Sequence, residues 1–90
     1  MQVSKEIQRD PSVVRRNLRF WRDERRMNTR QLGKLLGLSH SGITDLERGT
    51  RRITMDTFFK IAEVLNVDIT RFFEEPPAYH SGELPEEDPQ

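Results

Sequence analysis

The stretch Asn28–Gly49, NTRQLGKLLGLSHSGITDLERG, decides how this chain folds. Leu32, Leu35 and Leu36 recur at helical spacing and give the first segment one apolar face. Gly37 suits the left-handed conformation that stops a helix. Ser39 is a good N-cap for the next helix, where Ile43 and Leu46 lie three apart and point inward. Two short helices joined by a tight glycine-bearing turn make the unit whose second helix fits a DNA major groove. Its outward face consists of His40, Ser41, Thr44 and Asp45, polar side chains suited to touching base edges. These residues read as a sequence-specific DNA-binding module.

Upstream, residues 1–10 form a polar head carrying Val3 and Ile7, either a short helical turn or an arm. Asp10-Pro11 is a helix start, with Asp as N-cap and Pro at the first helical position. This helix is expected to run to about Arg26, with Val14, Leu18 and Trp21 as its buried stripe and Arg15, Arg16, Arg19 and Arg25 outside. Asn28 or Thr29 caps the second helix, which ends near Leu36. The third runs from Ser39 to a stop at Gly49, and the basic loop Thr50-Arg51-Arg52 follows.

Downstream, Thr54 caps a fourth helix with Phe58, Ile61, Ala62 and Leu65 on its apolar face, and Asn66 can end it in a left-handed conformation. Asp68 caps a short fifth helix carrying Ile69, Phe72 and Phe73. From Glu74 onward the composition changes: the last 17 residues hold four of the five prolines and six acidic side chains. Such a segment buries little apolar surface and is expected to be a flexible acidic tail, residues 74–90. The fold class is all-α, a compact five-helix bundle over residues 11–73 with no convincing strand.

Ninety residues make one small domain, near the size at which a single core is only marginally stabilising. The chain has no cysteine, which excludes disulfides and thiolate metal sites, and its two histidines, His40 and His80, stand far apart. No apolar run approaches the roughly 20 residues needed to span a bilayer, and the N-terminus lacks an apolar signal segment. The expectation is a soluble cytoplasmic protein with no membrane association. Formal net charge is zero, but residues 1–52 carry 13 Lys/Arg against 6 Asp/Glu, and residues 53–90 carry 2 against 9. The basic half holds the helical pair, as an electrostatic footprint for phosphate requires. By itself the same asymmetry fits a solvated helix face and an acidic tail equally well.

Residues 18–73 resemble the Cro/C1-type helix-turn-helix domain of phage repressors and bacterial xenobiotic-response-element regulators. The resemblance rests on Arg22, Gln31-Leu32-Gly33, Leu36-Gly37-Leu38-Ser39, Ile43 and Leu46-Glu47-Arg48-Gly49. It continues through Phe58-x-x-Ile61-Ala62-x-x-Leu65 and Val67. The fold it implies is lambda-repressor-like. It also implies base reading by His40, Ser41, Thr44 and Asp45, and backbone contacts from Asn28, Thr29, Arg30, Ser39, Arg51 and Arg52. Arg22 and Glu47 match a pair that forms a buried salt bridge in the family. Four residues depart from the pattern: Gly33 replaces a usual Ala, Arg26 stands where Gly often ends the first helix, Gly42 lies inside the recognition helix, and Thr29 is shorter than a common Gln.

Each candidate has a plainer reading beside it. His40 can donate to guanine or to phosphate, or be an ordinary exposed histidine. Asp45 can accept from cytosine N4, or orient His40 or an arginine. Ser41 and Thr44 suit base contact, with the Thr44 methyl available to thymine; their plainer reading is solubility. Trp21, Phe58 and Phe59 suit core packing better than a stacking platform for single strands. A five-residue terminal helix does not easily bury both Phe72 and Phe73, so one of them, with Ile69, is a candidate dimer interface.

The expectation is a transcriptional regulator of bacterial or phage origin, nucleoid-associated. It would act on double-stranded DNA as a repressor and homodimer. The alternative is an antitoxin or anti-regulator whose acidic tail binds a protein partner. No nucleophile constellation, phosphate loop or metal-ligand set is present, so no enzyme activity, cofactor or metal is expected.

Overall fold

A computed structural model describes residues 10–77. It contains four α-helices: α1 (Ser12–Glu24), α2 (Thr29–Leu36), α3 (His40–Arg48) and α4 (Met55–Leu65). The predicted fifth helix, Ile69–Phe73, is instead one turn of 3-10 helix. Five residues are too few to sustain an α-helical ladder, and a short segment settles into the tighter i to i−3 pattern. The Glu74 amide accordingly donates to the Arg71 carbonyl at 3.4 Å.

Local chemistry sets the helix starts. Asp10 Oδ1 accepts from the Ser12 amide at 2.9 Å. Asn28 and Gln31 form a reciprocal capping box, each side-chain oxygen accepting the other's amide at 2.8 Å. Ser39 accepts from the Gly42 amide and Thr54 from the Thr57 amide. Asp68 accepts from the Thr70 amide at 3.0 Å and the Thr70 hydroxyl at 2.9 Å. These backbone hydrogen bonds hold the carboxyls of Asp10 and Asp68 below the ordinary aspartate pKa.

Left-handed residues stop all four α-helices: Arg26 (φ 58°), Gly37 (74°), Gly49 (87°) and Asn66 (57°). Helix α1 therefore ends at Glu24, short of the expected Arg26. Arg26 adopts the conformation that glycine would take freely, at a cost of about 1 kcal/mol. Its strain is offset by the Met27 amide, which donates to the Arg22 carbonyl at 3.1 Å.

The core gathers Leu18, Leu32, Leu36, Ile43, Leu46, Phe58, Ile61, Ala62, Leu65 and Phe72. Phe72 is fully buried and meets Phe58 edge-on, with ring centroids 5.4 Å apart. Two residues expected inside are outside: Leu35 is 56% and Phe59 54% exposed. At about 100° per residue, both lie roughly a quarter-turn or more from the buried face of their helices. Trp21 is only half-buried, and the guanidinium carbons of Arg25 and Arg71 lie 5.3 and 5.2 Å from its ring centroid.

The segment from Glu74, expected to be tail, begins as part of the fold. Buried Asn17 donates to the Glu74 carbonyl at 2.7 Å, Arg16 pairs with Glu75, and Pro76 is buried. Asn17 Nδ2 also reaches the carbonyls of Val13 and Phe72, while Oδ1 accepts from the Trp21 indole at 3.0 Å. The polar head through residue 9 and the rest of the tail, residues 78–90, lie outside the described residues.

Candidate nucleic-acid interface

Helices α2 and α3 cross closely because position 33 has no side chain. A Cβ at Gly33 would overlap the Leu38 carbonyl oxygen and lie 3.2 Å from that of Ser39. The turn is therefore tighter than an alanine at this position would allow. It is closed by the Leu38 amide, which donates to the Gly33 carbonyl at 2.8 Å.

Helix α3 is braced from α1 at two levels. Arg22 Nε and Nη2 grip Glu47 at 2.6 and 3.0 Å, and Arg22 Nη1 donates to the Met27 carbonyl at 2.9 Å. One guanidinium thus joins α1, α3 and the corner leading into α2. Both side chains are about 10% exposed, so this bidentate pair is largely shielded from water. It also removes Glu47 from the surface. Two helical turns back along α1, the Arg15 guanidinium lies over Gly49, where a Cβ would come within 2.8 Å of Cζ. This sets a cation against the negative end of α3.

The bracing leaves the outer face of α3 open. His40 and Ser41 are exposed, and Thr44 and Asp45 are half-buried. The Thr44 hydroxyl donates to the His40 carbonyl at 3.1 Å, so its remaining polar capacity is as an acceptor. Ser41 Oγ lies 3.2 Å from Ser39 Oγ, itself occupied as the N-cap. Arg48 is exposed on the same side, one turn beyond Thr44. The sequence reading placed no contact there, although the spacing from Ser41 and Thr44 already aligned it.

At the start of α2, the Asn28 side-chain oxygen is occupied by the capping box, leaving its Nδ2 as donor. Arg30 is exposed and Thr29 half-buried. On the other side, the Asp45 carbonyl accepts from the amides of Gly49, Thr50 and Arg51 at 2.9, 3.0 and 3.3 Å. That folds the loop back along α3 and brings Arg51 beside the helix; Arg51 and Arg52 are both exposed. The structure thus sets the arginine loop beside α3, with the Arg51 guanidinium against Gly42. Ile69, Phe72 and Phe73 do not form a common outer face: Phe72 belongs to the core, Ile69 is half-buried, and Phe73 is 38% exposed.

Residues 18–72 match a family model described as Helix-turn-helix, more than half of the chain. The chain belongs to the Cro/C1-type helix-turn-helix family. Two relatives, uncharacterized HTH-type transcriptional regulators of Sinorhizobium medicae and Rhizobium meliloti, are each 34% identical over 59 residues. That overlap is 66% of this chain and 42% of each relative, so the chain spans about two fifths of their length. Among solved structures, the hypothetical transcription factor NHTF from Neisseria superposes with a TM-score of 0.68 at 22% identity, covering 83% of this chain and 88% of that one. The clp gene regulator ClgR of C. glutamicum gives 0.64 at 18% identity, covering 69% and 80%. At these identities the likeness speaks for the fold. Among the described residues of this Cro/C1-type chain, no helix is long and apolar enough to cross a membrane.

Proposed function

We propose that this chain is a sequence-specific DNA-binding transcriptional regulator that inserts α3 into the major groove. The observation that carries the reading is the open polar face of α3, braced by the Arg22–Glu47 pair and followed by the loop that lays Arg51 against the helix. A rigid helix with exposed hydrogen-bonding groups can read base edges, while the neighbouring cations and the first turn of α2 follow the phosphates. His40, Ser41, Thr44 and Asp45 are the proposed base-reading set, and Arg48 joins them from its exposed position. Asn28 Nδ2, Thr29, Arg30, Ser39, Arg51 and Arg52 serve the backbone.

The reading extends to a homodimer on a two-fold operator, acting as a repressor where that operator overlaps a promoter, in the cytoplasm. Phe73 and Ile69 are the surface residues proposed to contribute to pairing, now without Phe72. The protein-binding alternative rested on the acidic tail, and no feature of residues 10–77 favours it.

Binding to a mixed-sequence duplex at several salt concentrations tests the electrostatic part of this function. Replacing Arg52 by alanine is expected to weaken binding to every sequence and to reduce the log–log salt slope by about one. An unchanged slope would remove Arg52 from the phosphate contacts.

A further inference from the structure

Gly42 has no local reason to be glycine. It sits inside α3 with an ordinary helical backbone, where glycine is less favourable than alanine. It is nevertheless buried, and what covers it is informative. An added Cβ would lie 2.9 Å from Nη1 of Arg51, while its distances to Ser39 Oγ and Leu38 Cβ, 3.4 and 3.6 Å, are ordinary contacts. The obstacle to a side chain here is therefore the guanidinium of a loop arginine nine positions away. The Arg51 amide, turned toward the Asp45 carbonyl at 3.3 Å, starts that side chain along the flank of α3.

We infer that Gly42 is a positioning residue whose bare backbone seats the Arg51 guanidinium against the recognition helix. This inference rests on the DNA-binding reading above. An arginine on a free loop loses side-chain entropy when it meets a phosphate. One already laid against α3 loses less, and its charge is fixed in register with the base-reading face. Among the described residues no ion pair neutralises Arg51, and its position beside the first turn of α3 adds a cation to the positive end of the helix dipole. An approaching phosphate relieves that repulsion. The glycine departs from helix propensity because the function of its neighbour needs the space.

The test separates seating from folding, because the two effects have opposite signs. Gly42→Ala is expected to fold at least as stably as the parent, since alanine favours the helix and only the far end of a flexible side chain must move. Its affinity for a mixed-sequence duplex is expected to fall about three- to tenfold, the effect of weakening one charged contact. In an Arg51→Ala background the same substitution should leave affinity unchanged. Without DNA, nitrogen relaxation of the Arg51 Nε–H group should show an ordered side chain in the parent and a freely moving one in Gly42→Ala. Equal Arg51 mobility in both proteins would overturn the seat, whatever the DNA results. Equal loss of affinity with and without Arg51 would assign the effect to the helix itself. A parent protein that binds no duplex, with Arg51 ordered, would contradict the DNA-binding reading while leaving the seat in place.

Discussion

At the scale of single residues, the Arg22–Glu47 pair shows how a charge interaction can place a site without touching a ligand. Its three hydrogen bonds join α1, α3 and the α1–α2 corner. Removing one partner leaves the other charge unpaired where water hardly reaches. Glu47→Ala is therefore expected to lower stability by about 3 kcal/mol. Replacing both partners together, Arg22→Met with Glu47→Leu, should cost much less. Urea unfolding of Arg22→Met, Glu47→Leu and the double variant checks this, and additive losses would contradict it. The pair was legible because both residues fall on family positions, as did Gly37, Ser39 and Gly49 at the turn. Asn17 was not legible: its partners at Phe72 and Glu74 lie 55 and 57 residues away, and an asparagine in a helix carries no sign of such a role. Arg25, expected simply outside, donates to the Leu65 carbonyl 40 residues on and so caps α4. Gly42 was legible as a departure, but its cause lay in the path of another side chain.

At the scale of elements, the starts and stops followed from chemistry confined to a few neighbouring residues. The caps Asn28, Ser39, Thr54 and Asp68 and the stops Gly37, Gly49 and Asn66 needed no tertiary information. The width of each buried stripe did need it, which is why Leu35 and Phe59 were misplaced. Gly33 sets the crossing of α2 and α3, and it can be tested by its sign. Alanine gains about 1 kcal/mol of helix propensity, but overlap with a backbone carbonyl forces a shift costing about 1–3 kcal/mol. Gly33→Ala is expected to lose about 1 kcal/mol net on the same scales, measured by urea unfolding; a gain would show that the crossing relaxes freely. The aspartate caps give a pH dependence. Their folded pKa values lie below the unfolded value, so their contribution is complete above about pH 4 and disappears as pH falls through the folded values. Asp10→Asn with Asp68→Asn keeps the capping oxygens and is expected to flatten the acid limb of the thermal midpoint. An unaltered limb would assign acid sensitivity to other carboxylates.

At the scale of the whole molecule, a neutral chain is divided into a basic half and an acidic half. The basic half contains α1, α2, α3 and the arginine loop, and the acidic half contains α4 and the C-terminal segment. The division was visible in the sequence, and the structure adds that the arginine loop folds back onto α3 and lays Arg51 against it. The C-terminal boundary was less visible. Composition marked Glu74 as the start of a tail, yet Asn17 and Arg16 hold Glu74 and Glu75 to α1, and Pro76 is buried. Short-range composition cannot register contacts made with a helix so distant in sequence. In the proposed function this molecule presents α3 to a specific duplex as one half of a symmetric pair. Selection from random duplex DNA at about 150 mM salt, where nonspecific phosphate attraction is muted, tests it most directly. Enrichment of a two-fold symmetric motif with half-sites one helical turn, about 34 Å, apart is expected; a folded protein that enriches no motif would overturn the DNA-reading role of α3.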